Sequence, residues 1–105
     1  MPTFEVDSRF WRDYDDLTLE RQRQFLEAKD EFVQALLEAE ANGCRMPPSF
    51  PNGLRVKPCP PHRGVRELTW AADGRCTWMY GNPRKMGQYH IIWRRIGSHD
   101  IYDAP

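Results

Sequence analysis

The sequence predicts an α+β fold in which two N-terminal helices pack on a mainly antiparallel sheet, in the order β-α-α-β-β-β-β. Three observations predict it. Apolar residues recur with a helical period up to Asn42 and with a period of two from Leu54 onward. Between the two regimes lies residues 46–53 (MPPSFPNG), whose three prolines and one glycine mark a connecting loop. Asp73-Gly74, flanked by two apolar runs, is the strongest hairpin signal in the chain.

Each element follows from its residues. Residues 3–6 are short and β-prone and read as an edge strand. Ser8 is an N-cap type, and Phe10, Trp11, Tyr14 and Leu17 share one helical face. Asp15-Asp16 interrupt that helix, and Thr18 caps a second one starting at Leu19. Along it Phe25, Leu26, Phe32, Val33, Leu36 and Leu37 form a wide apolar stripe, with Glu20, Arg23, Glu27 and Glu38 off it. Asn42-Gly43 stops the helix, because both residues tolerate left-handed backbone angles. Residues 54–57 (Leu-Arg-Val-Lys) alternate apolar and basic and read as a strand ending at Pro58. After a turn at residues 60–64, strands are expected at 65–71, 75–80 and 89–96. The Ile91-Ile92-Trp93 run marks the last as central and buried on both faces.

Composition bounds the function. The chain has 105 residues and 12.4 kDa, which predicts a single domain spanning 1–105. Apolar residues are 40% and charged residues 29%, a soluble globular composition. No apolar run approaches the roughly 18–20 residues of a membrane-spanning helix, and no signal-peptide layout opens the chain. Three widely spaced cysteines (Cys44, Cys59, Cys76) fit reduced thiols, so a cytoplasmic location is expected, with no membrane partner. The net charge of zero hides a split. Residues 1–53 hold six Lys/Arg against eleven Asp/Glu, a net of −5, and residues 54–105 hold nine against four, a net of +5. All three histidines lie in the basic half. Such a split points to a local anion-binding surface.

The chemistry-bearing residues lie in that half. On a strand, Arg55 and Lys57 would project from one face, with Arg66 on the neighbouring strand and Arg94-Arg95 on the last. Converging cations suit phosphodiester recognition, since each phosphate exchanges counterions for a fixed positive partner. His99 follows the last strand, and imidazole is the side chain best poised to move a proton near neutral pH. His62 and His90 carry weaker signals. Cys59-x-x-His62 lacks a second ligand pair, so no metal is expected. No phosphate-binding glycine loop and no Gly-x-Ser-x-Gly elbow is present. Trp70, Trp78 and Trp93 fall on three expected strands and read as core that stacks across the sheet. Tyr102 reads as a base-stacking platform.

The order of elements, Leu54-Arg55-Val56-Lys57, Gly64-Val65-Arg66 and above all Arg95-Ile96-Gly97-Ser98-His99-Asp100-Ile101-Tyr102 resemble the RelE/ParE superfamily of type II toxins over nearly the whole chain. The terminal stretch is similar to the Arg-x-Gly-Thr-His ending of its YafQ-like branch. The resemblance implies a RelE-like fold and a metal-independent endoribonuclease without cofactor, cutting mRNA in the ribosomal A site to inhibit translation. The expected products are a 2′,3′-cyclic phosphate and a 5′-hydroxyl. It matches Arg55, Lys57, Arg66, Arg95 and His99 to the family's site. The terminal histidine and the converging cations lead to the expectation of Arg66 and Arg95 on the phosphate, His99 as general acid and Lys57 as base, since a lysine can lose its proton when desolvated and an arginine cannot. Tyr102, Arg63 and Arg94 would contact RNA, and Arg75 or Arg84-Lys85 could substitute for cations that other members carry. The implied partners are mRNA, the ribosome and a cognate antitoxin, in a toxin–antitoxin hetero-oligomer. Two alternatives remain at this point: a ParE-type gyrase poison, and a non-catalytic RNA- or partner-binding domain. The neutral charge departs from a generally basic family.

Overall fold

A computed structural model describes residues 1–105. The elements are β1 (Thr3–Val6), α1 (Ser8–Asp15), α2 (Leu19–Ala41), β2 (Lys57–Pro58), β3 (Arg66–Thr69), β4 (Arg75–Tyr80) and β5 (His90–Gly97). Short 3-10 turns occupy Asn52–Leu54 and His99–Asp103. The strands form one sheet in the order β1-β5-β4-β3-β2. β1 runs parallel to β5, and every other pair is antiparallel. Two helices on a mainly antiparallel sheet is the expected α+β architecture; β5 is interior, between β1 and β4, but β4 is the central strand, and Ile92, Arg94 and Arg95 of β5 are only partly buried. No helix is long and apolar enough to cross a membrane.

The helix starts obey capping chemistry. Asp7, one residue before the expected Ser8, is the N-cap of α1, its carboxylate accepting from the Arg9 amide at 2.9 Å. Both residue types cap well, and Asp7 is the one left in extended backbone. Thr18 caps α2 by accepting from the Arg21 amide at 3.2 Å. The buried stripe of α2 is Phe25, Ala28, Phe32, Ala35, Leu36 and Ala39. Leu26, expected on this stripe, is exposed, while Val33 and Leu37 lie at its margins.

The core forms where α2 meets the sheet. The tryptophans do not stack on one another as the strand pattern suggested; they converge on two phenylalanines of α2. Phe32 lies 4.8 Å from Trp78 and 5.2 Å from Trp93, and Phe25 lies 5.7 Å from Trp93 and 6.4 Å from Trp70. In three of these four pairs an aromatic edge meets an aromatic face, a favoured geometry for such rings, and Phe32–Trp93 is tilted. Trp11, by contrast, is 54% exposed on α1.

Strand phase decides which side chains can reach the other face. Leu68, Cys76 and Trp78 face the helices and join the core, so Arg66, two residues from Leu68, faces the helices too. Its guanidinium lies 5.7 Å from the Trp78 ring centre. Glu67, Thr69 and Arg75 point the opposite way. On β5 the register runs Trp78↔Trp93 and then Thr77↔Arg95, leaving Arg94 as an extra residue. This bulge resets the alternation, so that both Trp93 and Ile96 enter the core.

The expected strand at residues 54–57 is a correction. Leu54 is buried in a 3-10 turn, and Arg55 follows it in left-handed backbone (φ 46, ψ 47). Only Lys57–Pro58 pair with β3. Arg55 and Lys57 are therefore not neighbours on one strand face.

Candidate active site

An open groove of about 650 Å³ lies on the sheet face away from the helices. Its floor comes from β2, β3 and β4, and its rims from the proline-rich turn after β2 and from the C-terminal 3-10 turn. Lys57 and Glu67 are register partners, so their side chains leave the same face, with Lys57 Nζ 3.3 Å from Glu67 Oε1. Thr69 and Arg75 are the next register pair along that face. Arg75 Nη1 donates to the carbonyls of Ala71, Ala72 and Gly74 at 3.2, 3.3 and 2.9 Å, which sets the guanidinium's direction. Arg55 enters the same groove from its left-handed turn, and His62 from the opposite rim. A non-glycine residue in left-handed backbone is strained, and here the strain falls on a groove cation.

His99 and Tyr102 close the other end. The two rings meet edge to face with centroids 5.6 Å apart. The turn that carries them is anchored by Ile101, which is buried, while His99 itself is exposed. Burial, and then the adjacent Glu67 carboxylate, push the Tyr102 phenol well above the usual tyrosine range. Glu67 is 7% exposed and is the only carboxylate lining this groove. Tyr102 thus meets the imidazole ring and lines the groove together with the carboxylate. Burial likewise pushes the Cys59 thiol up, so this groove residue is held as a thiol and not as a nucleophile. Cys59 and His62 line the groove together, but no group of three or more His, Cys, Asp or Glu side chains is placed to hold a metal ion.

Of the residues expected from the sequence, Arg55, Lys57, His99 and Tyr102 are brought together here. Arg66, Arg63, Arg94 and Arg95 are not. Arg66 lies on the helix side, where its Nε is buried without a partner. Arg63 is exposed on the outer side of the proline turn. Arg94 donates to the Pro105 carbonyl at 3.2 and 3.3 Å. Arg95 forms a two-pronged pair with Asp13 of α1, at 2.6 and 3.1 Å, and donates to the Ala104 carbonyl at 3.0 Å. His90 is buried between Thr3 and Glu5, 2.7 Å from Thr3 Oγ1 and 3.2 Å from Glu5 Oε1. Sequence reasoning missed Glu67 and Thr69, and named Arg75 only as a substitute cation. The signal for all three was the strand period, since each stands at odd separation from an inward Leu68 or Cys76.

Comparison with solved structures is decisive for the fold. A copper-bound mutant toxin from Helicobacter pylori aligns with a TM-score of 0.60 at 15% identity, over 95% of this chain and 97% of that one. YafQ from E. coli aligns at 0.56 and 16%, over 95% and 96%. The fold is that of the RelE/YafQ toxins. YafQ in its E. coli complex with DinJ gives 0.55 at 15% identity, over 95% of this chain and 96% of that one. No protein-family model matches the chain, and no curated protein matches it in sequence.

Proposed function

We propose that the chain is the toxin of a type II toxin–antitoxin pair and an endoribonuclease that cuts mRNA in the ribosomal A site at the His99 groove. The observation that carries this reading is an exposed imidazole and a buried carboxylate lining, with Tyr102, one groove otherwise supplied with Arg55, Lys57 and Arg75. RelE/YafQ-type architecture adds to it, because one solved relative is a toxin–antitoxin complex.

The cleavage is an internal transfer. A ribose 2′-hydroxyl attacks the adjacent phosphorus, and the bond to the 5′-oxygen breaks, leaving a 2′,3′-cyclic phosphate and a 5′-hydroxyl. Glu67 accepts the 2′-hydroxyl proton, and the His99 imidazolium donates one to the departing 5′-oxygen. Arg55, Arg75 and Lys57 hold the non-bridging oxygens and offset the extra negative charge of the five-coordinate state. Glu67 replaces Lys57 as base for a physical reason. A lysine base depends on desolvation, and the Lys57 side chain is 64% exposed and ion-paired. Arg55 and Arg75 likewise take the phosphate role that the sequence assigned to Arg66 and Arg95. An acidic antitoxin segment is the partner that suits this face.

The experiment is induction of the wild type, His99→Ala and Glu67→Gln in cells, followed by primer extension on a translated message. Both variants lose the cuts while still binding the antitoxin. Intact message together with accumulated cleaved DNA would instead identify a gyrase poison. Toxicity unchanged in both variants would remove this groove from the mechanism.

A further inference from the structure

Arg66 enters no ion pair and no hydrogen bond, and its Nε is buried without a partner. Its guanidinium is nonetheless held in place, 5.7 Å from the ring centre of Trp78, its register partner on β4. It lines a separate cavity of about 390 Å³, walled on one side by the proline-rich loop of residues 47–52. Tyr80 lines it too, meeting Trp78 edge to face at 5.0 Å. Burial pushes the Tyr80 phenol up and the charge of Arg66 acts against that rise, so hydroxyl and guanidinium share one environment. Arg55, likewise without an ion pair or hydrogen bond, borders both this cavity and the groove. It precedes the two-residue edge strand β2, where the two faces of the sheet meet. No carboxylate lines the cavity. Asp30, Glu31 and Glu38 of α2 line a different depression, which meets the loop at Ser49 and Pro51.

Two guanidiniums on one cavity with no acidic counterpart call for an anion, and their forked donors match the oxygens of a phosphate. The hydroxyls of Ser49 and Tyr80 are further donors on the same lining. Arg55 decides which anion suits the cavity. The groove it shares is the one that takes the reacting phosphate, and a polynucleotide carries another phosphate one step along. A strand that leaves the groove past Arg55 presents that next phosphate to Arg66. A lone carboxylate would satisfy the same donors, but it has no covalent tie to the anion in the groove.

We propose that the cavity bounded by Arg55, Arg66 and Tyr80 binds a second, uncleaved phosphate of the RNA strand, next to the one that reacts in the groove. This rests on the nuclease reading for its ligand and gives Arg66 no part in the chemistry. The probes are thymidine oligonucleotides, which lack the 2′-hydroxyl and are not cut: a dinucleoside with one phosphate and a trinucleoside with two. Each is titrated by calorimetry, over a range of salt, into the wild type, Arg66→Met and Ser49→Asp. Ser49 is an exposed loop residue, so its variant reads the cavity even where loss of Arg66 disturbs the packing on Trp78. The wild type should bind the two-phosphate probe at least about tenfold more tightly, the worth of one hydrogen-bonded contact to a charged group. Its log affinity should also fall more steeply with log salt, by about 0.7 for one further phosphate of a single strand. Both variants should lose that gain and that extra slope while binding the one-phosphate probe within about threefold of wild type, since solvent and salt screen the groove from the change. Equal binding of the two probes by the wild type, a gain that survives either substitution, or loss of one-phosphate binding in Arg66→Met would each overturn the proposal. So would a hexaglutamate peptide that binds the wild type but not Arg66→Met where the two-phosphate probe shows no gain, which would give the cavity to a protein partner. The two-phosphate gain in a protein that cuts no RNA would uphold the cavity and sink the nuclease reading, so the two failures are separable.

Discussion

Replacing Arg95 with alanine tests whether this residue serves the fold or the groove. The substitution removes both prongs of the pair with Asp13, at 2.6 and 3.1 Å, and the bond to the Ala104 carbonyl. Asp13 retains one donor, the Ile96 amide at 3.2 Å. The side chains of Arg95 and Asp13 are 22% and 16% exposed, so the pair lies nearer the buried than the solvated limit. Removing one partner costs about 3–5 kcal/mol in a buried pair, and an exposed pair is worth at most about 1 kcal/mol. Partial exposure and the surviving amide bond place Arg95→Ala at about 2–3 kcal/mol. For a chain of this size that is a fall of roughly 10 °C in Tm. Urea unfolding followed by tryptophan fluorescence measures it, and a cycle with Asp13→Asn should return a coupling above about 1 kcal/mol. Stability unchanged within about 0.5 kcal/mol, together with lost RNA cleavage, would overturn the structural role of Arg95 and return it to the phosphate.

Three further outcomes follow from the same geometry. His99→Ala removes an exposed side chain, so unfolding free energy should change by less than about 0.5 kcal/mol while the cleavage rate falls about 10²–10⁴-fold. A Cβ on Gly74 would lie 2.6 Å from Trp70 Cδ2, so Gly74→Ala should lose about 1–3 kcal/mol in thermal melts through overpacking. Hydrogen bonds from the Arg9 backbone and then its side chain hold the Asp7 carboxyl below the usual aspartate range. Its contribution is therefore present above the unfolded value, about 3.9, and is lost as pH falls through the lower folded value. Asp7→Asn should flatten that acid limb in a pH series of urea midpoints.

The helices and the hairpin were legible because their determinants are local. Thr18, the Phe25–Phe32–Leu36 spacing and Asp73-Gly74 each act within a few residues. The strand period also carried more than was drawn from it. Counting outward from Leu68 places Glu67 and Thr69 in the groove and excludes Arg66. Other features depend on partners distant in sequence. Arg95 is claimed by Asp13, 82 residues away, and the bulge at Arg94 reflects the joint fit of Trp93 and Ile96 to the core. Left-handed backbone at Arg55 has no sequence signature, since arginine does not favour it. His99 and Tyr102 were singled out by their side-chain chemistry after the last strand and again by the resemblance of the terminal stretch, and the fold brings them into one groove with Lys57.

In the proposed reaction His99 and Glu67 move protons while a ribose 2′-hydroxyl displaces the 5′-oxygen. Its most direct measurement is the chemistry of the ends on RNA cut by the purified protein on programmed ribosomes. The fragments should carry 2′,3′-cyclic phosphates and 5′-hydroxyls that a kinase labels without prior phosphatase, both absent with His99→Ala. Fragments ending in 3′-hydroxyls and 5′-phosphates would contradict it.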